Sequence, residues 1–389
     1  MKEAGYEVHV YGKNDLFTPE SAALSTDVYT NVNGPPQKNK SVPTQPLEVC
    51  NDFLCHPMEG TYRDHNDYHN LKAGMDFINK RKPGDKPFII FLPLTFPHCP
   101  YTAHEPFYSM YDKNNISPLR PICEKKPLHH ELIRQYRHLD RSNMNKLQAV
   151  YMGMISFTDT LLGELMDCVE NAGIKNQTML IASSDHGDYA GDYGLIEKWS
   201  SGCEDVLTRV PLLVTGPGFQ KGRRVYEQTE LFDIMATILE SAGITPEHTH
   251  YARSLLPQLQ GDHGDSKRAV FCEGGFNQNE LYCSAGADRP DHSYSRGPGN
   301  IYYAKGLQEH ERPESVGRFT MIRTLTHKLV LRTYGLNELY DLAADPLELK
   351  NVYGEDSYTG IQAELERRML DWYIATSDSV PMDEDPRGF

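Results

Sequence analysis

Three short apolar runs, separated by helical patterns, restrict the fold of this chain more than any other feature. They cover residues 88–94 (FIIFLPL), 178–184 (TMLIASS) and 210–214 (VPLLV). Each run is too short to cross a bilayer and is typical of a strand that is buried on both faces. Buried strands that alternate with helices form sheets covered by helices on both sides. We therefore predict an α/β fold with a large, mixed, mostly parallel sheet flanked by helices.

The helical patterns between these runs are long and amphipathic. Apolar residues recur at helical spacing over residues 141–172, and Gly173 follows as a stop signal. A second such pattern covers residues 229–242. Helices of this kind are expected to pack their apolar faces on the sheet.

The last hundred residues have a different pattern. Residues 319–324 and 328–333 alternate between apolar and polar side chains, and residues 362–374 follow as a helix. We predict an α/β catalytic domain over residues 1–290 and a C-terminal subdomain over residues 291–389, with a small antiparallel sheet and a terminal helix.

Composition limits the partners of the protein. The 389 residues contain 39 Lys and Arg against 54 Asp and Glu, which gives a formal net charge of -15. Such a surface repels nucleic acid and anionic membranes, so we expect neither as a partner. An anionic substrate would need a local positive site, and a bound cation is one way to supply it. The 8 cysteines contain no C-x-x-C pair, so their spacing does not predict a zinc site.

Polar residues follow two of the apolar runs, at the sheet edge where α/β proteins bind ligands. Asp185 and His186 come directly after residues 178–184, and His98 follows residues 88–94. A carboxylate and an imidazole in succession can both face one metal ion. The other interpretation of Asp185 is a helix N-cap, and that of His98 is a hydrogen-bonded strand-end histidine.

Lys198 lies about a dozen residues after this pair, in a glycine-rich loop. A solvated surface charge is the ordinary interpretation of a lysine. In this loop its ammonium group could instead return to the metal and hold a substrate oxyanion.

Four ordered motifs resemble those of the sulfatase family, in the alkaline-phosphatase superfamily. Residues 185–199 (DHGDYAGDYGLIEKW), with RVPLL from Arg209, resemble D-[HN]-G-x(n)-G-x-x-G-x-x-x-K-W and R-V-P-L-[IL]. Upstream of these, GYEVHVYGK resembles G-Y-x-T-x-x-x-G-K, and PHCPY resembles P-H-x-P-[FY]. ELYDLAADPLELKN, from residue 338, resembles the C-terminal motif E-L-Y-D-L-x-x-D-P-x-E-x-x-N. The resemblance covers nearly the whole chain.

The resemblance implies roles for five residues. Asp185 and His186 match two ligands of a divalent metal, usually Ca²⁺, with Mg²⁺ or Mn²⁺ as alternatives. Lys13, His98 and Lys198 match the residues that bind the sulfate oxygens and assist the leaving group. His98 is the candidate for the hydrogen bond to the leaving oxygen. The expected substrate is a small-molecule or glycan sulfate ester, and we expect all five residues to meet in one cleft.

The chain departs from the family at the nucleophile. The family uses a formylglycine made from the Cys or Ser of C/S-x-P-S-R, and no such sequence occurs in this chain. The resemblance places this motif, and a first strand with two metal-binding aspartates, upstream of Gly5. We therefore expect an N-terminally shortened chain that is inactive as it stands. Asp15 stands where the usual motif has His, and it is given no catalytic role.

Two alternatives remain open. A phosphonate or phosphate ester hydrolase of the same superfamily would use the same metal pair, and a binder of sulfated glycans would have lost its nucleophile. We expect the loops at residues 18–68 and 273–303 to build substrate specificity. The compartment depends on whether an upstream signal peptide exists, which would make the protein secreted, periplasmic or lysosomal. The oligomeric state is left open.

Overall fold

The computed structural model describes residues 1–34, 53–139, 141–277 and 302–378. Parts of both predicted specificity loops, residues 35–52 and 278–301, lie outside the described residues. The strands are β1 (Glu7–Tyr11), β2 (Val28–Thr30), β3 (Phe88–Phe91), β4 (Leu180–Ser183), β5 (Leu212–Thr215), β6 (Val270–Gly274), β7 (Phe319–Arg323), β8 (His327–Arg332) and β9 (Glu338–Asp341). The α-helices are α1 (Pro19–Ser25), α2 (Asn66–Lys80), α3 (Leu128–Tyr136), α4 (Met144–Asn171), α5 (Asp205–Thr208), α6 (Asp233–Ser241), α7 (Leu256–Gln260), α8 (Tyr303–Glu311) and α9 (Thr359–Thr376).

The chain forms two compact units. Unit 1 comprises Met1–Leu119 and Leu139–Leu180, and unit 2 comprises Arg120–His138 and Ile181–Phe389. The predicted boundary near residue 290 falls among residues outside the description, so it stays a prediction.

Unit 1 contains a three-stranded parallel sheet in the order β2-β1-β3. Helices α2 and α4 supply its apolar core, in which Ile78 packs with Cys168 and Val169 against the partly buried side chains of β3. The apolar stripe predicted for α4 is buried as expected, with Leu147, Val150, Met154, Phe157 and Leu161 at 1% exposure or less. The parallel sheet and the long amphipathic helix are thus confirmed.

Unit 2 contains a four-stranded antiparallel sheet in the order β6-β7-β8-β9. Helix α9 packs on this sheet through Leu365 and Met369, which join Ile322, Leu329 and Leu339 in one apolar cluster. The predicted small antiparallel sheet and terminal helix are therefore present. One of its strands, β6, comes from upstream of residue 290.

Hydrogen bonds join the three apolar runs differently from the single sheet that we expected. β3 pairs with β1, whereas β4 and β5 form a separate two-stranded sheet. β3 is therefore an edge strand among the strands described. It is also shorter than the apolar run, because Pro93 follows it and has no amide hydrogen for a ladder.

Candidate active site

The Asp185–His186 pair lies directly after β4, as the sequence predicts. His186 Nδ1 is 2.7 Å from the Gly187 carbonyl oxygen, which can only accept a hydrogen bond, so Nδ1 carries the proton. In the neutral ring the lone pair is then on Nε2, which is 3.6 Å from Asp185 Oδ2. The Asp185 side chain is 85% exposed. Two electron-pair donors at this spacing can bind one cation.

Gly187 holds this pair against α5. Its amide donates to the Leu207 carbonyl at 2.7 Å. A β-carbon at this position would lie 1.9 Å from the Val206 carbonyl oxygen, so only glycine fits. The glycine of the metal-binding motif is therefore required by a close approach of two backbone segments.

The loop that carries Lys198 returns to the segment after His186. The Tyr189 amide donates to the Glu197 carbonyl at 3.0 Å. Asp188 Oδ1 accepts the amides of Ala190 at 2.7 Å and Glu197 at 3.1 Å. These bonds close the loop, so Lys198 is tied to the strand end that carries Asp185.

A buried carboxylate fixes the residue before Lys198. Glu197 is 2% exposed and has a positive φ of 62°, and its carboxylate accepts from Arg137 at 2.6 Å and Lys305 at 3.2 Å. Burial opposes its ionisation, but Lys305, Arg137 and Lys198 outweigh this effect and lower the pKa of Glu197 to about 2. Lys305 also reaches the Lys198 carbonyl at 3.4 Å. Glu197 therefore holds the backbone of Lys198 through Lys305, while Arg137 binds its other carboxylate oxygen.

A second buried ion cluster supports α5. Lys328 is 0% exposed and donates to Asp205 Oδ1 and Glu348 Oε1, each at 2.5 Å. Arg323 binds the same Asp205 carboxylate through two nitrogens, at 2.8 and 3.0 Å. Glu348 belongs to the C-terminal D-P-x-E sequence. This motif thus binds α5, which packs on Gly187.

Lys13 and His98 lie in unit 1. Lys13 follows β1, and its amide donates to the Pro93 carbonyl at 3.0 Å, beyond the end of β3. The Lys13 ammonium pairs with Asp15 at 2.7 Å, and its side chain is 52% exposed. Asp15, which was given no catalytic role, therefore forms an exposed ion pair with a predicted site residue.

His98 is held by its own loop. Its Nδ1 lies 2.6 Å from the Cys99 carbonyl oxygen, which makes Nδ1 the donor. The loop is anchored by Asp67 of α2, which is 1% exposed and accepts the amides of Thr95 at 2.9 Å and Phe96 at 2.8 Å. No sequence signal pointed to Asp67 or to Glu197, because their roles depend on burial and on partners far along the chain.

The structure thus places the five predicted residues in two groups. Asp185, His186 and Lys198 belong to one loop system of unit 2. Lys13 and His98 follow neighbouring strands of unit 1. Their convergence in one cleft stays a prediction.

Family comparisons agree with the motif order. Residues 1–244 match the model of the Sulfatase family. Residues 293–374 match that of the N-sulphoglucosamine sulphohydrolase C-terminal region. In the part of the chain that the structure describes, no helix has the length and apolar character needed to cross a membrane.

Curated relatives are similar over much of the chain. A multifunctional alkaline phosphatase superfamily protein of Trinickia caryophylli is 25% identical over 75% of this chain and 57% of its own length. A choline-sulfatase of Rhizobium meliloti is 26% identical over 69% of this chain and 46% of its own. Arylsulfatase K of Bos taurus is 26% identical over 74% and 51% respectively. The chain spans about half the length of these relatives.

Solved structures share the fold. A phosphonate monoester hydrolase of Agrobacterium radiobacter superposes with a TM-score of 0.71 and 19% identity, over 100% of this chain and 82% of that one. A protein solved with D-glucosamine-2-N,6-O-disulfate as its substrate has a TM-score of 0.66 and 17% identity, over 99% and 82%. The fold and motifs are those of the alkaline-phosphatase superfamily. Within it, the chain belongs to the sulfatase family.

Proposed function

We propose that this protein is a sulfuric ester hydrolase that acts on the sulfate ester of a carbohydrate or of an aryl or alkyl alcohol. The observation that carries the proposal is the arrangement of Asp185 and His186. A carboxylate oxygen and an imidazole lone pair lie 3.6 Å apart at a strand end, in a chain of the sulfatase family. The relatives that are named for sulfate esters support the choice of substrate class.

The two side chains fit part of a divalent-metal shell. Calcium takes about six to eight ligands, mainly oxygen, and Asp185 offers exposed carboxylate oxygens. Oxygen ligands also suit Mg²⁺, and the imidazole is compatible with Mn²⁺. When bound, such a cation polarises the sulfate oxygens and neutralises developing charge. Because two side chains provide few of the ligands, we expect these 389 residues alone to bind calcium weakly or not at all.

Three further residues would act on the substrate directly. Lys13 and Lys198 would hold the sulfate oxygens by charge-assisted hydrogen bonds. In its doubly protonated form, His98 would hydrogen-bond or protonate the leaving oxygen through Nε2, since its Nδ1 proton faces the Cys99 carbonyl. Glu197 would keep the Lys198 backbone in place through Lys305.

The nucleophile is the remaining requirement. The family nucleophile is a formylglycine, and none of the 389 residues stands in its C/S-x-P-S-R sequence. We propose that turnover requires a polypeptide that also supplies this group, and that the 389 residues alone hydrolyse no ester. If no form of the protein carries this motif, we expect the protein to bind a sulfated glycan without hydrolysing it.

Phosphonate ester hydrolysis is the second candidate. It is favoured by the similarity to a phosphonate monoester hydrolase at a TM-score of 0.71. We propose sulfate as the preferred ester because residues 293–374 match the C-terminal region of a sulphohydrolase.

The deciding experiment compares esters on a nucleophile-bearing form of the protein. Release of 4-nitrophenol from its sulfate and from its phenylphosphonate should show a higher kcat/KM for the sulfate. Asp185→Asn should remove most of this activity. Asp262→Asn, at a position far from Asp185 in the sequence, is the matched control and should retain it. A preference for the phosphonate would overturn the assignment of substrate class.

A further inference from the structure

Three ligand-type side chains meet in the interior of unit 2, outside the residues assigned above. His129 and His130 lie on α3, and Glu204 precedes α5; each is 2% exposed. One ligand atom from each residue lies within 4.8 Å of the other two. Buried polar groups normally have complete hydrogen bonding. In this group, the hydrogen bonding of His129 is incomplete.

One ring nitrogen of His129 has no hydrogen-bond donor. Its Nδ1 is 3.4 Å from Ser201 Oγ, and its Nε2 is 3.4 Å from the Tyr189 hydroxyl. Ser201 already donates its only proton to the Ser315 carbonyl at 2.7 Å. Tyr189 donates its only proton to Glu204 Oε2 at 2.9 Å. A neutral imidazole has one donor and one acceptor nitrogen, so in either tautomer its lone pair faces an oxygen that has no proton to give.

Protonating His129 does not resolve this shortage. Burial, followed by the nearby His130, lowers the pKa of His129 well below its usual 6.5 and so opposes the charged ring. A buried nitrogen lone pair without a donor is destabilising. A cation bound at that lone pair would remove the cost.

Glu204 supplies the negative charge of the group. Its Oε1 accepts from His130 Nε2 at 2.5 Å, and its Oε2 accepts from Tyr189 and from the Cys203 amide at 3.2 Å. Burial opposes ionisation, but the His130 contact, followed by the Lys126 ammonium group, holds the pKa of Glu204 well below 4.5. Two neutral imidazoles and one carboxylate are a ligand set that Zn²⁺ takes in proteins.

Two positive side chains act on this group. Arg332 is neutralised by Glu338 at 2.7 Å, whereas Lys126 donates to the neutral Tyr340 hydroxyl at 2.8 Å and keeps its charge. A cavity of about 10 Å³ touches His129 and Ser201, but neither His130 nor Glu204 lines it. It has room for one small particle, an ion or a water molecule, and none for an organic ligand.

We propose that His129, His130 and Glu204 form a structural binding site for a zinc-type transition metal. One nitrogen of each imidazole and one oxygen of Glu204 bind the ion. His130 coordinates through the nitrogen that now donates to Glu204, and its proton moves to the other ring nitrogen, so no proton leaves the protein at this step. The Tyr189 hydroxyl or a water molecule completes four-coordination. The ion would fasten α3 to the segment that leads into α5. The site uses neither Asp185 nor His186.

The test uses metals alone on the full 389-residue chain, after treatment with a chelator. The background is an Asp185→Asn/His186→Asn double variant, so that the other candidate site contributes no binding. Titration with Co²⁺ should give one equivalent with the strong visible absorption of four-coordinate cobalt, and Zn²⁺ should displace it. Absence of stoichiometric binding in this background overturns the proposal, and is consistent with a water molecule in the cavity.

Two variants locate the metal. His129→Gln should weaken Co²⁺ binding at least tenfold. His138→Gln, an exposed histidine just beyond α3, should change it less than twofold. Equal binding by both variants contradicts the assignment. If His129→Gln does not fold, zinc K-edge absorption of the loaded double variant decides: two imidazole ligands support the site, and an all-oxygen shell refutes it. None of these results depends on ester hydrolysis.

Discussion

Replacement of Glu197 by glutamine tests how charge holds the Lys198 loop. The side chain keeps its size but loses the charge that balances Arg137 and Lys305, at 2.6 and 3.2 Å. In the wild-type protein these cations overcome the effect of burial and lower the pKa of Glu197 from the usual 4.5 to about 2. That difference corresponds to about 3 kcal/mol of folding free energy at neutral pH.

The sign of the pH dependence follows from the lowered pKa. The stabilisation is fully present above the unfolded-state pKa of 4.5, and it is lost as the pH falls towards the folded-state pKa of about 2. About 2 kcal/mol of it should be gone by pH 3. Glu197→Gln should therefore be less stable than wild type by about 3 kcal/mol at pH 7 and by only about 1 kcal/mol at pH 3.

Urea unfolding, followed by circular dichroism from pH 3 to pH 8, measures this difference. Glu170→Gln is the matched control, because Glu170 pairs with Lys175 at 2.9 Å on the surface, with its side chain 62% exposed. The control should follow wild type at every pH. A Glu197→Gln deficit that is the same at pH 3 and pH 7 would refute the electrostatic explanation and would point to lost packing.

Further predictions concern groups that are buried in one unit or the other. In urea unfolding, Lys328→Met should lower the free energy of unfolding by about 3–5 kcal/mol, because two buried carboxylates lose a shared cation. Lys175→Met is the control and should not differ measurably from wild type, since the Lys175 side chain is 58% exposed. Asp67→Asn should lower the free energy of unfolding by about 1–3 kcal/mol. It should also speed hydrogen exchange of the Thr95 and Phe96 amides, which donate to Asp67, and unchanged exchange would argue against the anchor. Gly187→Ala should lower the melting temperature because its β-carbon meets a carbonyl oxygen at 1.9 Å, but Gly163→Ala, in open space on α4, should raise stability by up to about 1 kcal/mol. The reverse order of these two melting temperatures would contradict the close approach at Gly187.

Apolar periodicity predicted the elements whose buried faces are mainly apolar. Helix α4 and the β7–β8 hairpin were predicted to within a few residues, because most of their buried positions carry Val, Leu, Ile, Phe or Met. Helix α3 was missed, since two of its buried positions are His129 and His130, which a hydrophobic pattern counts as polar. β6 was also missed, because its partner β7 lies far along the chain.

The sequence predicted those residues of the candidate site that are consecutive in a motif. Asp185, His186 and Gly187 form such a run, and the structure gives each a geometric reason. Asp67 and Glu197 could not be identified from the sequence, because an isolated carboxylate is ordinarily interpreted as a surface charge and its buried partners are known only from the structure. Their partners are up to 108 residues away in sequence.

The central claim is that Asp185 and His186 bind the metal of a sulfatase. The most direct measurement is sulfate release from 4-nitrophenyl sulfate by a nucleophile-bearing form of the protein, with Ca²⁺ present and after chelation. The account predicts that chelation removes the activity, that Ca²⁺ restores it, and that Asp185→Asn or His186→Asn lowers kcat/KM by at least about 10²-fold. Sulfate hydrolysis that survives both substitutions at the wild-type rate would contradict the account.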